Sequence, residues 1–235
     1  MKTFLRNAAA DSALSALLLL FFSCQPDTPA QAQKAVSALK ARGGVDIRDE
    51  DGSTALIIAA RNGHYNTVKL LLDNGADVNA HDKYGTTPLM AILSVTFTPS
   101  TFDETSPDFK GFDPMMQQEV KTVKILIDRH ADVSLQDKNG STALMLAAVC
   151  QNAAAVDYLI QHGADVNAKD KAGNTALAQL DDILQRDIDS TQAKDTKSAN
   201  DIYQRSEEQY SADASQQFQD AYAKVIQVIK AAGGY

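Results

Sequence analysis

Along the middle of the chain, apolar residues recur at helical spacing in pairs of segments, which predicts paired helices. In the first pair, Thr54 opens a largely apolar helix, and a second helix carries Val68 and Leu71 on one face. A glycine-containing turn separates the two helices, and another glycine ends the second. Neither helix of a pair can bury its apolar face alone, so the pairs must stack on one another. Leu71, Leu144 and Leu159 are therefore expected in a shared core.

Each helix pair begins with the same phrase, Asp-x-x-Gly-x-Thr-(Ala/Pro)-Leu. The phrase starts at Asp49, Asp82, Asp137 and Asp170, so that the first two starts and the last two are 33 residues apart and the middle gap is 55. Asp and Gly are turn residues, since Gly adopts a positive φ without strain, and Thr is a helix N-cap. A fixed period of this length indicates stacked repeats rather than one globular core.

The period is broken twice, each time between the two helices of a repeat. The insertions lie at about 96–117 and about 185–217, and we expect both to emerge on one edge of the stack. Four phenylalanines lie among acidic residues in the first insertion, namely Phe97, Phe102, Phe109 and Phe112. They either pack back on the stack or contact a partner. Before the first phrase, a helical pattern over 34–42 predicts a cap for the end of the stack.

The repeated residues resemble the ankyrin repeat. Thr87-Pro88-Leu89, Ala59-Ala60 and Gly63-His64 match its helix pair, and the phrase Gly75-Ala-Asp-Val-Asn-Ala80 returns at 163–168. The resemblance covers roughly residues 34–180 and resumes at the C-terminus. It implies an all-α ankyrin-repeat solenoid of helix-turn-helix units with short β-hairpin turns and two insertions between repeat helices.

Two departures from the ankyrin pattern bear on stability. The histidine that usually follows Thr-Pro-Leu is absent, so packing must replace its hydrogen bond to the threonine. The residues at this position are Ile57, Met90, Met145 and Ala178. His130 stands where the other repeats end their second helix with glycine, which is costly if the backbone there has a positive φ.

The N-terminus has the pattern of an export signal. Lys2 and Arg6 precede an apolar run over 13–22 that is too short to span a bilayer comfortably, and Ser23-Cys24 follows. A cysteine in this place resembles the lipobox of bacterial lipoproteins, although two phenylalanines before Ser23 depart from its usual residues. The alternative is an ordinary signal peptide cut later, for instance after Ala32.

These features divide the chain into a signal peptide (1–23), a tether (24–33) and an ankyrin-repeat domain (34–235). Within the domain we expect a cap at 34–48, followed by repeats at 49–81, 82–136, 137–169 and 170–235. The expected location is the periplasm, with the protein tethered to the bacterial outer membrane through a lipid on Cys24. Later cleavage would instead leave a soluble periplasmic protein.

Composition narrows the classes of function. With 22 Lys plus Arg against 30 Asp plus Glu, the formal net charge of −8 argues against nonspecific nucleic-acid binding and favours a basic partner. The four histidines lack metal-ligand spacing and are interpreted as solvated, and Cys150 is interpreted as a partly buried hydrophobe. Neither a nucleophile elbow nor a phosphate or dinucleotide loop occurs. The prediction is no enzyme activity, no cofactor and no metal.

The candidate binding residues are those that differ between repeats in an otherwise repeated frame. The resemblance places the hairpin tips, the residue before each phrase and the first-helix surface on a concave recognition face, with Tyr84 as the best single anchor. The predicted residues are Glu50, Asp51, Ser53, Arg61, Asn62, His81, Lys83, Tyr84, Thr86, Gln136, Lys138, Asn139, Lys169, Lys171 and Asn174. The four phenylalanines of the first insertion are the alternative site.

Together these features predict a monomeric, non-enzymatic protein of the bacterial envelope that binds a protein partner of unknown identity. It would act as a scaffold, an accessory factor or an immunity-like inhibitor. One alternative is an envelope enzyme with a pocket formed by the insertions, which would need a reactive Cys150 or carboxylate. The other is a purely structural envelope protein.

Overall fold

The computed structural model of the 235-residue chain describes residues 27–94, 114–183, 220 and 223–234, with side chains from 117 onwards in the second range. Seven helices have both ends in these ranges: α1 (Pro29–Lys40), α2 (Ala55–Arg61), α3 (Tyr65–Asp73), α4 (Pro88–Leu93), α5 (Pro114–Asp128), α6 (Ala143–Val149) and α7 (Ala153–Gln161). Residues 176–183 and 223–231 are also helical. The β-structure of the described residues consists of two isolated antiparallel bridges, Arg48 with Thr54 and Gln136 with Thr142.

The helices stack in two layers, as the repeat pattern predicts. The first helices α2, α4 and α6 pack on one another in one layer, and α1, α3 and α5 pack in the same way in the other. Each first helix also packs on the second helix of its own repeat. α1 takes the place of a second helix and is therefore the predicted cap. Leu71, Leu144 and Leu159 lie in the core between the layers, each at most 1% exposed, so the fold class is confirmed as an all-α solenoid.

A threonine caps the first helix of every repeat. Its Oγ1 accepts a hydrogen bond of 3.3–3.4 Å from the backbone N–H three residues later, at Thr54, Thr87, Thr142 and Thr175. The apolar residues that replace the family's histidine, Ile57, Met90 and Met145, are buried in the core. The helix start is thus held by the threonine cap and by packing.

The cap helix begins earlier than predicted. α1 starts at Pro29 and includes residues 29–33, which the sequence pattern assigns to the tether. Thr28 forms a capping box with Gln31, and proline fits the first helical position because the N–H it lacks has no partner there. Ala32 is buried and joins this turn to the core. The Pro-rich stretch therefore marks a helix start rather than a linker.

The second helix of the second repeat is longer than its counterparts. α5 has 15 residues, whereas α3 and α7 have nine each. It begins at Pro114, inside the range predicted for the first insertion. Glu119, in its N-terminal half, is buried against Gly63, where an added Cβ would lie 2.8 Å from the glutamate Cγ. The four phenylalanines and the second insertion lie outside the described residues.

Among the residues that the structure describes, two other than glycine adopt a left-handed backbone conformation. His130 ends α5 with φ 65°, where Gly75 and Gly163 end α3 and α7 with φ 81° and 90°. His130 therefore meets the condition under which a residue other than glycine is costly at this position. Gln151 has φ 58° in the turn after α6, where the first repeat has Gly63 with φ 66°. Both positions keep the turn of the repeat without its usual glycine.

Replacing His130 with glycine is expected to raise the free energy of unfolding by about 1 kcal/mol. A left-handed conformation costs an L-residue about 1–2 kcal/mol, and part of the gain is offset by the greater freedom of glycine in the unfolded chain. Urea denaturation measures the difference. Gly163→Ala, at the same position of the next repeat, should lower stability by a similar amount. A His130→Gly variant less stable than wild type would show that the imidazole, not the backbone, decides stability here.

Candidate functional site

The first aspartate of the repeated phrase closes each hairpin tip. Asp82 Oδ1 accepts hydrogen bonds from the backbone N–H groups of Tyr84 and Thr86 at 2.8 and 2.9 Å. The other three tips repeat this pair of bonds through Asp49, Asp137 and Asp170. The backbone bond from Asn174 is the main cause that lowers the pKa of Asp170. One phrase thus builds four similar tips.

Backbone hydrogen bonds join successive tips into one row. In each, the N–H of the second phrase residue donates to the carbonyl of the third phrase residue in the preceding tip. The pairs are Lys83 with Asp51 (2.8 Å), Lys138 with Tyr84 (2.8 Å) and Lys171 with Asn139 (2.9 Å). The bond from Lys138 to Tyr84 joins the two repeats on either side of the first insertion. The insertion therefore leaves the row of tips continuous.

Tyr84 is presented on the second tip. It is 56% exposed, and it and Val149 are the large apolar side chains that stand exposed in the described part of the chain. Lys83 Nζ lies 5.1 Å from the centre of the Tyr84 ring and forms an ion pair with Asp51. The hydrogen bond with Asp51 raises the pKa of Lys83. These contacts hold an aromatic side chain at the surface, as a binding anchor requires.

The structure brings most of the predicted site residues together along this row. The exposed ones are Glu50, Asp51, Lys83, Tyr84, Lys138, Asn139, Lys171 and Asn174 at the tips, His81, Gln136 and Lys169 just before the phrases, and Arg61 and Asn62 at the C-terminal end of α2. Thr86 is half-buried.

The prediction that Ser53 is a partner-binding residue is wrong. It is only 4% exposed, because it closes the first tip against Asp49. Its N–H donates to Asp49 Oδ1 at 2.8 Å, and its carbonyl accepts from the Asp49 N–H at 3.0 Å. The side chain is covered and is not available to a partner.

Some of the exposed polar groups already form hydrogen bonds within the protein. Asn62 Nδ2 donates to the Ile58 carbonyl at 2.8 Å, and Gln136 Nε2 donates to the Lys169 carbonyl at 3.0 Å. Arg48, which the sequence reasoning did not select, donates to the carbonyl of His81. By contrast, Lys138, Lys169 and Lys171 form no ion pair with any residue that the structure describes. These ammonium groups are the ones most open to a partner.

A second set of surface residues lies at the C-terminal ends of the first helices, and of these the sequence predicted only Arg61. Ser94, Val149 and Asp182 occupy the same repeat position as Arg61, and all four are exposed. Between the third and fourth repeats lies a depression of about 470 Å³ whose lining includes Val149 and Ala178. Aligning the repeats on their phrase, rather than examining the tips alone, would have identified these positions.

The titratable side chains show no reactive cluster within the described ranges. No group of three His, Cys, Asp or Glu residues there could hold a metal ion. Cys150 is half-buried at the end of α6, as predicted, and burial raises the pKa of its thiol. The expectation that all four histidines are solvated is wrong for His64, which is half-buried just before α3. Burial lowers the pKa of its imidazole, although the negative charge of Asp27 acts in the opposite direction. His81, His130 and His162 are exposed.

Asp27 attaches the N-terminal segment to the first repeat. Its Oδ2 accepts a hydrogen bond from the Asn66 N–H at 2.6 Å, and its Oδ1 accepts one from the Thr67 hydroxyl at 2.8 Å. The Asp27 carboxylate thereby caps α3, whose own N-cap residue His64 makes no side-chain capping bond. The helices in the described ranges include none long and apolar enough to cross a bilayer.

Comparison with known proteins agrees with the repeat pattern. The family described as Ankyrin repeats (3 copies) matches residues 7–94 and 115–179, which is more than half of the chain. The chain is 34% identical over 122 residues to neurogenic locus notch homolog protein 1 of Xenopus laevis. It is 51% identical over 47 residues to a transient receptor potential cation channel subfamily A member 1 homolog of Caenorhabditis elegans, and 26% identical over 152 residues to tyrosine-protein kinase HTK16 of Hydra vulgaris.

These likenesses involve a small part of each relative. The matches cover 46%, 20% and 59% of this chain, but only 5%, 4% and 20% of the respective relatives. The similarity therefore concerns repeats carried within much larger proteins.

Proposed function

Because this chain belongs to the ankyrin-repeat family, we propose that it is a non-enzymatic protein that binds one protein partner through its row of hairpin tips and the adjoining first-helix surface. Ankyrin repeats generally mediate protein–protein interaction. The observation that carries the proposal is the continuous row of bonded tips with Tyr84 exposed on it. The partner would be scaffolded, assisted or inhibited by this binding.

The surface is suited to binding because its backbone is already ordered. Two hydrogen bonds to the phrase aspartate fix each tip, and one bond to the next tip fixes their spacing. A preformed surface loses little conformational entropy on association, so more of the contact energy appears as affinity. Tyr84 supplies the kind of aromatic contact that dominates interface energetics.

The binding proposal is tested by affinity capture from the native bacterial envelope, with residues 25–235 as bait. We expect one stoichiometric partner that is lost with a Tyr84→Ala/Lys138→Ala bait. The matched control is Tyr65→Ala/Lys69→Ala on α3, which removes the same two residue types away from the tips and should retain the partner. Loss only with a bait lacking residues 96–116 would move the site to the phenylalanine insertion. Capture of no partner by any bait would contradict the proposal.

We further propose that the protein is exported and lipidated at Cys24. The charged start, the apolar run and Ser23-Cys24 support this, and the contacts of Asp27 favour it over later cleavage. A cut after Ala32 would remove the α3 cap, the Thr28 capping box and the buried first turn of α1. A cut before Cys24 would leave all of these in place.

The mass of the mature protein from the membrane fraction tests this second proposal. We expect a chain that begins at a lipid-modified Cys24, and a Cys24→Ala variant that is not lipidated. The family match begins at residue 7, inside the proposed signal peptide, so the processing needs this direct measurement. A mature chain that retains residues 1–23, or one that begins at Gln33, would contradict lipidation at Cys24.

An envelope enzyme is the alternative function, and Cys150 is the residue that its thiol version requires. At pH 8, iodoacetamide should modify Cys150 of the folded protein several-fold more slowly than the same thiol in urea. The reason is that burial raises the thiol pKa and the thiolate is the reacting form. A Cys24→Ala background leaves Cys150 as the single thiol. Faster modification in the folded state than in urea would bring the enzyme hypothesis back.

A further inference from the structure

Three successive tips carry a lysine at the same phrase position. The second phrase residue is Lys83, Lys138 and Lys171 in the second, third and fourth repeats, whereas it is Glu50 in the first. All three lysines are exposed, and the backbone N–H of each is bonded to the preceding tip. The row of tips therefore presents a regular series of ammonium groups, which we call the lysine row.

The three lysines also share one concavity. A depression of about 460 Å³ lies at the second and third tips, and Lys83, Lys138 and Lys171 are all among the residues that line it. The neighbouring Lys169 is exposed as well. Regular spacing along the row and a common depression together indicate a site for a negatively charged chain rather than three unrelated surface lysines.

Two aspartates of the same tips, Asp82 and Asp137, also line the depression, but backbone N–H groups bind their carboxylates. Asp82 is only 5% exposed, and its Oδ1 accepts two backbone hydrogen bonds. Asp137 and Asp170 use Oδ1 in the same way. Asp51 pairs with Lys83, while Lys138 and Lys171 have no ion pair among the described residues. Beyond the second tip, the exposed charged side chains that line the depression are those of Lys138 and Lys171, whereas Asp137 is half-buried.

We propose that the lysine row binds an extended acidic segment of the partner protein, with carboxylates at every third residue. This inference rests on the proposed function and names the chemistry of the partner at the same surface. Neighbouring packed helices lie about 8–10 Å apart, which sets the approximate spacing of the tips. An extended chain advances about 3.3 Å per residue, so carboxylates three residues apart are spaced by about 10 Å.

The local charge of the lysine row affects the binding of a segment more strongly than the net charge of the whole chain does. The formal net charge of −8 alone favours a basic partner. Charges farther away than about 8–10 Å are largely screened at physiological ionic strength, however, so a bound segment interacts mainly with the nearest tips. The charge of the local surface therefore decides which chain binds there.

The first test uses the full chain and the peptide Glu-Gly-Ser-Glu-Gly-Ser-Glu, titrated by NMR at low salt. We expect chemical-shift changes at the backbone amides of Lys83, Lys138 and Lys171, and weaker binding at high salt. Lys138→Gln/Lys171→Gln should weaken binding roughly four- to twenty-five-fold, because each exposed ion pair contributes a factor of about two to five. Lys34→Gln/Lys230→Gln removes the same charge elsewhere and should leave the affinity unchanged.

A gain of binding is the second expected result. Glu50 occupies the lysine position in the first tip and is exposed, so Glu50→Lys should extend the row by one repeat. This variant should bind a peptide with a fourth glutamate, three residues further on, roughly two- to five-fold more tightly than wild type does.

Several results would overturn the inference. These are equal binding of a peptide with Gln or Lys in place of Glu, an equal loss with the control lysine variant, or stronger binding of phosphatidylglycerol vesicles than of the peptide through the same lysines. A peptide that fails to bind, together with capture of a partner that depends on Tyr84, would overturn the acidic-segment inference and leave the proposed function standing. Failure of both would count against the tip surface itself.

Discussion

The Gly140→Ala variant is expected to lose about 3 kcal/mol or more of its free energy of unfolding. Gly140 has φ 82°, a conformation that costs an L-residue about 1–2 kcal/mol. The added Cβ would also lie 2.6 Å from the Lys171 backbone N and 2.9 Å from the Asp170 Cα. Both neighbours are backbone, so relief requires the tips to separate and strains the bond between Lys171 and Asn139.

Gly173→Ala is the matched control for this prediction. Gly173 occupies the same phrase position in the last tip and has φ 86°, but an added Cβ there meets nothing within 4 Å. Gly173→Ala should lower the free energy of unfolding only by the cost of the left-handed conformation, about 1–2 kcal/mol. Urea denaturation of both variants measures the difference, which reports on the contact between tips. Equal losses would show that the tips are not packed as closely as described.

Leu144→Ala is expected to lower the free energy of unfolding by about 2–5 kcal/mol. Leu144 is 1% exposed in α6, which packs on α4 and on α7. Its truncation removes buried apolar contacts and leaves a cavity that the surrounding helices fill only partly. Because the total stability of a domain is about 5–15 kcal/mol, this is a large share of it.

Leu146→Ala on the same helix is the control for Leu144→Ala. Leu146 is half-buried, so the same truncation should cost clearly less. Both variants should unfold in one transition, since each repeat is stabilised mainly by its neighbours. A loss below about 1 kcal/mol for Leu144→Ala, or equal losses for the two leucines, would contradict the placement of α6 in the core.

The repeated parts of the fold can be predicted from the sequence because each phrase residue has one local task. Asp82 closes a tip, Gly85 provides the positive φ, and Thr87 caps the helix. The same tasks recur in the other repeats, so one reading predicts all four. The left-handed conformation of His130 was predictable in the same way, because glycine stands at that position in the neighbouring repeats.

The ends of the helices outside the repeated phrase were harder to predict. Pro29 and Pro114 each begin a helix inside a stretch that has the composition of a linker or an insertion. The cap of α3 comes from Asp27, which is 39 residues away from Asn66 in sequence. Such a contact depends on how α1 packs on the first repeat, and no local pattern contains that information.

The candidate site was predictable as a set of positions but not as a charged surface. The 33-residue period places Lys83 and Tyr84 on a tip, yet it does not show that Ser53 is covered. Nor does it show that Asp82 turns its carboxylate to the backbone while Lys138 stays exposed. These differences arise from the hydrogen bonds within each tip, which the amino-acid composition does not reveal.

The most direct test of the tip surface is site-specific photo-crosslinking in cells that produce the protein. Benzoylphenylalanine would be placed at Tyr84 or Asn139 on the tips, and at Lys69 or Asp157 on the exposed faces of α3 and α7. We predict one crosslinked partner of the same mass from both tip positions and none from the two helix positions. Crosslinks from Lys69 and Asp157 to that partner, with none from the tips, would contradict the account.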